Sequence, residues 1–473
     1  MEKTIVRLQE IEIKNLKNVE YGKITLQSYN NLRKKLKGIE ENKVTDILGL
    51  YGPNGSGKTS LVDSMNILKS LMLGKKLSKD IKYLINNKDE SCHAELKFKF
   101  FIKIFDEEFL VDYKVILSKD TEEDKIIVER ELLSYSNIST KKERLKKMVD
   151  YDVKNEEYIF YPKKIYNMTI ASEKNTNIKL SVSKAMAIEN STSFIFSERT
   201  LDILNEANEI NEALEVTEIN ILNSLVHFAK INLFVIKSEQ SGIINTNEVL
   251  PFSFRLEDKV GVVTGGYAAL FEKSYLNEER YTILKRIIEQ INIVIEVIIP
   301  GMKIGIEEYG KQLDEEGDIT TEIELVSIRN SKEIPLKYES DGIKKIISIL
   351  SAIIAMYNNE TICVVIDELD AGIFEYLLGE ILGVLEQKAK GQLIFTSHNL
   401  RALEKLGKDS IVFTTINPNN RYVKLTNVKN NNNLRDFYYR SLVLGGQKEG
   451  LYDETNTFEM NNAFRKAGKI LNE

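Results

Sequence analysis

The stretch Gly49-Leu50-Tyr51-Gly52-Pro53-Asn54-Gly55-Ser56-Gly57-Lys58-Thr59-Ser60-Leu61 contains, from Gly52 to Thr59, every fixed position of the phosphate-binding loop G-x-x-x-x-G-K-[ST]. In such a loop Gly52, Gly55 and Gly57 let the backbone curl, so that the N–H groups along Asn54, Ser56 and their neighbours point at a β-phosphate. Lys58 adds a point charge for the β/γ oxygens, and the Thr59 hydroxyl is placed to hold Mg²⁺. The flanks agree with this reading. Residues 46–51 read as a strand, and Leu61, Met65, Leu68 and Met72 recur at helical spacing. Strand, loop and helix in that order predict an α/β nucleotide-binding core that takes a nucleoside triphosphate.

Working outward, a β-branched run at Thr361-Ile362-Cys363-Val364-Val365-Ile366 ends in Asp367-Glu368. It has the character of a strand buried on both faces of a parallel sheet. At its carboxyl end Asp367 is expected to orient water on Mg²⁺ and Glu368 to polarise the attacking water. As strand neighbours the two would point to opposite sides. A second short apolar strand, Gln392 to Thr396, leads to His398, one of only three histidines. A lone histidine at a strand end is more often structural than catalytic. Upstream, Leu336-Lys337-Tyr338-Glu339-Ser340-Asp341-Gly342 precedes Ile343, Ile346, Ile347, Leu350, Ile353, Ile354 and Tyr357 on one helical face. Ser340 or Asp341 is expected to cap that helix, and its N-terminus at Gly342 is a ready anion site.

In this order the phosphate loop, Glu339 to Gly342, the Asp367-Glu368 pair and His398 resemble the ABC-type ATPase family, in the branch of SMC, RecF and overcoming-lysogenisation-defect ATPases. The resemblance spans residues 1 to about 120 and 300 to about 430, and extends to Asp370 in the place of the D-loop aspartate. It also places Asn15 to Lys17 where relatives approach the nucleotide base. The sequence departs from the family at Asp341, which replaces the first glycine of Ser-Gly-Gly, and at Leu84-Ile85-Asn86-Asn87, where no Q-loop glutamine stands. The implied fold is an α/β P-loop NTPase of ABC type with a mixed sheet, an antiparallel β subdomain and an inserted helical lobe. The implied chemistry is slow hydrolysis of ATP with Mg²⁺ in a head-to-head dimer. In that dimer the loop of one subunit would face Ser340 and Gly342 of the other. Glu368 would activate water, His398 would contact the γ-phosphate, and Lys58 and Asp370 would complete the site.

Composition narrows the setting. The 473 residues carry a net charge of −6, 42% hydrophobic and 29% charged residues, which gives no global attraction to nucleic acid or to anionic membrane. Any DNA contact would have to be a local patch. The apolar stretch from Ile287 to Ile299 is broken by Glu289, Gln290, Asn292 and Glu296, and residues 1–7 lack a signal-peptide core. A cytoplasmic location is therefore expected. Cys92 and Cys363 lie far apart, and His93, His227 and His398 are too few for most metal-hydrolase or Ser-His-Asp schemes. The expected organisation is an ATPase lobe at 1–135, a mostly helical insertion at 136–300, a second ATPase lobe at 301–428 and a tail at 429–473. Residues 96–130 alternate like antiparallel strands, whereas 196–236 and 276–299 turn helical. The insertion is too short for the long arms of an SMC protein.

The run Lys141-Lys142-Glu143-Arg144-Leu145-Lys146-Lys147 reads as a solvated helix face. The tail offers Asn430 to Asn433, Leu434 to Arg440 and Leu444 to Gln447, a segment for packing or for partner docking. No TOPRIM motif is read beyond His398, no Arg-x-x-x-x-His motif precedes any of the three histidines, and an HNH site cannot be built from them. The chain thus resembles the ATPase subunit of two-gene anti-phage systems of the PARIS or abortive-infection type. That resemblance implies a separate TOPRIM nuclease as partner and a phage protein as trigger. The competing expectation is a RecF-like repair ATPase that clamps duplex DNA, and a weaker one is a transporter ATPase.

Overall fold

Two six-stranded sheets face each other across the helix that follows the phosphate loop. The computed structural model describes residues 4–28, 30, 32, 46–86, 93–120, 123–139, 144–154, 158–172, 174–211, 216–237, 249–251, 267–270, 272–313, 317–426, 433–444, 447–452 and 456–470. Asn87, Cys92, Lys141 to Glu143, Asn430 to Asn432, Gly445 and Gly446 lie outside the described residues.

The chain begins with β1 (Ile5–Leu16), β2 (Val19–Thr25), β3 (Asp46–Tyr51) and α1 (Lys58–Met72), then β4 (His93–Ile104), β5 (Glu107–Asp120), β6 (Lys125–Asn137) and β7 (Lys146–Asp152). Helices α2 (Lys163–Ala171), α3 (Thr176–Asn190), α4 (Glu198–Asn211) and α5 (Val216–His227) form the inserted lobe, which leaves through a π turn (Phe228–Asn232) into β8 (Leu233–Ile236). A hairpin, β9 (Val249–Pro251) and β10 (Tyr267–Ala269), precedes β11 (Ser274–Asn277), α6 (Glu278–Ile298), β12 (Met302–Leu313), β13 (Ile319–Arg329) and β14 (Lys332–Pro335). Then come α7 (Asp341–Asn358), β15 (Cys363–Ile366), α8 (Glu375–Lys388), β16 (Gln392–Thr396), β17 (Ile411–Thr414), β18 (Tyr422–Val423), α9 (Leu434–Leu444) and α10 (Thr457–Ile470).

The central sheet has the order β18-β17-β3-β16-β15-β8, parallel except for β18. Its strands are apolar throughout because both faces are covered. Leu48, Leu50, Cys363, Val365 and Ile394 pack into the core shared with α1 and the antiparallel sheet. Their neighbours Ile47, Tyr51, Val364, Ile366, Leu393 and Phe395 face the opposite core with α6, α7 and α8. This is an α/β fold with the phosphate-binding loop between β3 and α1, a mixed central sheet, an antiparallel sheet and an inserted helical lobe.

The antiparallel sheet runs β2-β1-β4-β5-β6-β7. Alternation places Leu96, Phe98, Phe100 and Ile102 inside and leaves lysines outside. Those outward lysines meet carboxylates: Lys14 and Lys114 pair with Glu95, Lys23 with Glu10, and Lys97 and Lys99 with Asp112.

Three features depart from the sequence expectation. β6 runs through residue 135 and β7 extends the same sheet, so strand pairing carries the first lobe into the segment read as helical insertion. Residues 146 and 147, read as part of a helix face, open that strand β7. Residues 233–236, expected to be helical, form the edge strand β8, because Leu-Phe-Val-Ile pairs in parallel with Cys363 to Ile366; a β-branched run beside an open strand edge satisfies more backbone than a helical turn would.

Candidate functional site

Phosphate loop and carboxylate turn converge at the carboxyl ends of β3, β15 and β16, where ligands sit in open α/β sheets. The loop spans residues 52–57 between β3 and α1, and Gly57, with φ 95°, caps the helix. Its curl is fixed from behind by β17 and β18. A Cβ on Gly52 would collide with the Thr414 hydroxyl, and one on Gly57 would lie 2.9 Å from Val19 and 3.2 Å from Arg421. The Thr414 hydroxyl donates to Ser56 Oγ (2.5 Å), Ser56 Oγ to the Pro53 carbonyl (2.7 Å), and Tyr422 OH to the Gly57 carbonyl (2.8 Å). Asn54, Gly55 and Thr59 are left exposed. Lys58 is buried, and its ammonium donates to the carbonyls of Gly52 (2.8 Å) and Pro53 (2.9 Å). Burial holds its pKa below the usual lysine value, against the pull of Asp367, Glu368 and Asp370.

The two adjacent carboxylates lie on the turn that follows β15. β15 ends at Ile366, and Glu368 takes a left-handed φ of 48°, so the expected strand alternation does not operate at this pair. The Asp367 amide donates to the Ile236 carbonyl of β8 (2.8 Å), and its carboxylate accepts from the Thr396 hydroxyl (2.5 Å). Burial pushes the Asp367 carboxyl upward, opposed by the Thr396 hydrogen bond. Thr396 Oγ1 also accepts from the Glu368 amide (2.7 Å), so this hydroxyl fixes both acids. Asp370 accepts from the amides of His398 (3.1 Å) and Asn399 (2.8 Å), tying the turn to the loop that carries His398. Partial burial, and then Lys58, lower the His398 pKa, which favours the neutral ring.

Ser340 caps α7, accepting from the Ile343 amide at 3.4 Å, and is exposed. Asp341 opens the helix and pairs with Lys344 at 3.0 Å. Gly342 sits where a Cβ would collide with the Gly372 carbonyl, so its lack of a side chain serves a backbone contact within the chain. The structure thus brings Lys58, Asp367, Glu368, Asp370 and His398 into one electrostatic cluster. Among the described residues no hydrogen bond or ion pair joins Ser340 or Gly342 to the phosphate loop.

Several contributors carry no motif. Thr396, Thr414, Arg421 and Tyr422 support the loop and the acids through hydrogen bonds between residues remote in sequence. Arg421 is buried and donates to the carbonyls of Asn18 (2.6 Å) and Thr415 (2.5 Å). Lys345 lies fully buried on α7, in the field of Asp367, Glu368 and Asp370, its pKa lowered chiefly by burial. A lysine wedged between apolar positions of a helix was the available signal. At the first turn, Asn15 and Lys17 adopt left-handed φ values of 54° and 52°. The Asn15 carbonyl accepts from the Asn86 amide (3.0 Å), and the Lys17 amide donates to Leu84; the turn and the Q-loop region therefore hold each other.

Among the described residues no three His, Cys, Asp or Glu side chains converge on a metal position. An exposed Thr59 hydroxyl and a single buried aspartate fit Mg²⁺, which takes one or two protein ligands and completes its shell with phosphate and water.

No family model and no curated protein matches the chain. Among solved structures it is similar to an SMC head bound to the C-winged helix domain of ScpA, at 14% identity over 89% of this chain and 97% of that one, TM-score 0.42. It is similar at 13% identity to a Pyrococcus furiosus Smc head domain with an extended coiled coil, bound to the C-terminal domain of ScpA (89% and 96% covered, TM-score 0.40). The SMC head domain from Thermotoga maritima matches at 13% identity (89% and 99% covered, TM-score 0.36). At these identities the likeness concerns the fold and assigns neither activity nor partner. No helix among the described residues is long and apolar enough to cross a membrane.

Proposed function

We propose that this chain binds ATP with Mg²⁺, hydrolyses it slowly, and serves as the sensor or scaffold subunit of a bacterial anti-phage system, controlling a separate TOPRIM-type nuclease through ATP-dependent self-assembly. The observation that carries the ATPase reading is the Lys58 ammonium. It is parked on two loop carbonyls inside a phosphate cradle, within the field of Asp367, Glu368 and Asp370. Phosphate oxygens would take over those hydrogen bonds with a charge partner added, and charge-assisted bonds are about twice as strong as neutral ones.

The backbone amides of the loop and the amino end of α1 would bind the phosphates, while Thr59 and Asp367 would hold the metal. Mg²⁺, when bound, neutralises charge on the β- and γ-phosphates. Thr396 holds the Asp367 carboxylate and the Glu368 amide, and Glu368 takes the proton of an attacking water. His398 reaches the γ-phosphate on a loop fixed by Asp370. Exposed Ser340 completes the nucleotide site of a second copy in a head-to-head dimer. The defence role and the nuclease rest on the resemblance of a compact ATPase without a nuclease motif of its own to the ATPase subunits of two-gene anti-phage systems. Against a DNA clamp stands the charge-balanced outer face of the antiparallel sheet, where lysines are paired with Glu10, Glu95 and Asp112.

Lys58→Ala should abolish ATP binding in calorimetry. Glu368→Gln should retain binding yet lower hydrolysis by about 10² or more, the contribution of a positioned general base. Micromolar affinity in the first variant, or parental turnover in the second, overturns the assignment. Both variants should fail to protect cells from phage when expressed with the neighbouring nuclease gene, while survival of DNA damage is unchanged. The opposite pair of phenotypes would favour the clamp.

A further inference from the structure

Asp63 lies one helical turn beyond Thr59 on α1, so the two share a helix face. Its side chain is 3% exposed and is shared by two lysines from other elements. Lys237 at the end of β8 pairs with Oδ1 at 2.6 Å, and Lys17 in the β1–β2 turn pairs with Oδ2. One buried carboxylate thus gathers the three elements that meet beneath the phosphate loop. The next residue along β8 matters as much. The Ile236 carbonyl accepts the Asp367 amide at 2.8 Å, so β8 is fastened to the helix of Thr59 on one side and to the backbone of Asp367 on the other. Farther along, Lys69 of α1 donates to the Leu233 carbonyl at 2.7 Å, so helix and strand are tied at both ends.

We propose that the Lys17–Asp63–Lys237 clamp positions the two candidate metal ligands, Thr59 and Asp367, relative to each other, and that through β8 it makes the inserted helical lobe responsive to Mg²⁺-nucleotide. This rests on the ATP-binding reading given above. Thr59 rides on α1 and Asp367 follows β15; the shortest covalent route between them crosses most of the chain, whereas the route through Asp63, Lys237 and Ile236 is a few side-chain and backbone bonds. β8 is also the exit of the lobe, reached from α5 through the π turn. A shift of the lobe therefore moves Lys237 and Ile236 together. The lysines are partly exposed, at 34% and 29%, and one carboxylate holds two cations, which leaves a net positive charge beside Asp367.

Lys237→Met is the clean test, because Lys17 stays to neutralise Asp63 and no unpaired buried charge is created. Two measurements are made on the full chain. Nucleotide affinity is measured with Mg²⁺ and with EDTA, and amide hydrogen exchange is followed across 363–367 and 392–396 without ligand. The expected result is EDTA affinity close to the parent, a Mg²⁺ enhancement reduced about tenfold, which is ~1.4 kcal/mol of lost metal-ligand positioning, and faster exchange confined to 363–367. Lys237→Arg should restore both readouts. An unchanged Mg²⁺ enhancement, an equal loss with and without metal, or unchanged exchange at 363–367 would overturn the clamp. Should the parent bind no nucleotide at all, the ATPase reading fails, and exchange alone still decides whether Lys237 holds Asp367.

Discussion

Lys345 shows how the electrostatics of single residues set this site. Its side chain is fully buried on α7, in the field of three carboxylates, and among the described residues it forms no ion pair. Burying an ammonium is unfavourable by several kcal/mol unless compensated, and here the compensation comes from Asp367, Glu368 and Asp370 together. Lys345 therefore acts as a counter-cation to the carboxylates of the candidate metal site. Lys345→Met, which keeps the volume, should leave thermal stability unchanged or raised and should lower the Mg²⁺ concentration for half-saturation of nucleotide binding several-fold. A unit charge a few ångströms from another is felt at about 1 kcal/mol or more when screening is partial. An unchanged Mg²⁺ half-saturation would show that the Lys345 charge does not reach the site. Thr396 works at the same scale by geometry, since a single hydroxyl holds the Asp367 carboxylate and the Glu368 amide.

At the scale of elements, the start of α7 has two neighbours to satisfy. Gly342 must stay bare to let the Gly372 carbonyl approach, so substitutions there distort the turn that carries Asp370 and cannot report on a second subunit. Ser340 can. It is exposed and its capping bond is long, so Ser340→Arg should reduce stability by no more than about 1 kcal/mol. The variant should bind nucleotide in the loop yet fail to hydrolyse it. Mixed with Lys58→Ala protein, it should regain activity above the sum of the separate proteins, because each mixed dimer then holds one intact loop facing one intact Ser340. Full hydrolysis by Ser340→Arg alone would reduce Ser340 to a helix cap. Legibility divides along the same line. β3, α1, β15 and β16 were readable because their residues are local and periodic: a glycine-rich loop, a stripe at Leu61, Met65, Leu68 and Met72, a β-branched run. β8 was not, because four apolar residues take strand or helix according to what lies beside them, and Cys363 to Ile366 lie far along the chain. The Asp367-Glu368 pair was legible as chemistry but not as geometry, because the left-handed turn at Glu368 depends on the Thr396 hydroxyl across the sheet.

Across the whole molecule, the inserted lobe is held between two sheets, by β8 in the central one and by Glu131 in the antiparallel one. Glu131 on β6 is fully buried and accepts from four donors: Tyr113 OH (2.6 Å), Ser193 Oγ (2.6 Å) and the amides of Phe194 (2.7 Å) and Ile195 (3.2 Å). Residues 193–195 link α3 to α4, so this one carboxylate pins the lobe to the sheet. Two of its donors are hydroxyls that can rotate to accept, and two are amides that cannot. A glutamine keeps its oxygen on the amides and turns its NH₂ to the hydroxyls, whereas a leucine orphans both amides. Glu131→Leu should therefore destabilise the fold by about 3 kcal/mol or more, an unsatisfied buried donor costing 1–3 kcal/mol, and Glu131→Gln by far less. The pH dependence gives an independent check. Burial raises the Glu131 carboxyl above 4.5, so the native state binds its proton more tightly than the unfolded chain, and its stabilising contribution is complete below 4.5 and lost as pH rises through the raised value. Glutamine has no such slope, so the Gln variant should gain on the parent as denaturant midpoints are compared from acid to neutral pH. A Leu variant as stable as the parent at every pH would show that the Glu131 hydrogen bonds do not hold the lobe to the sheet.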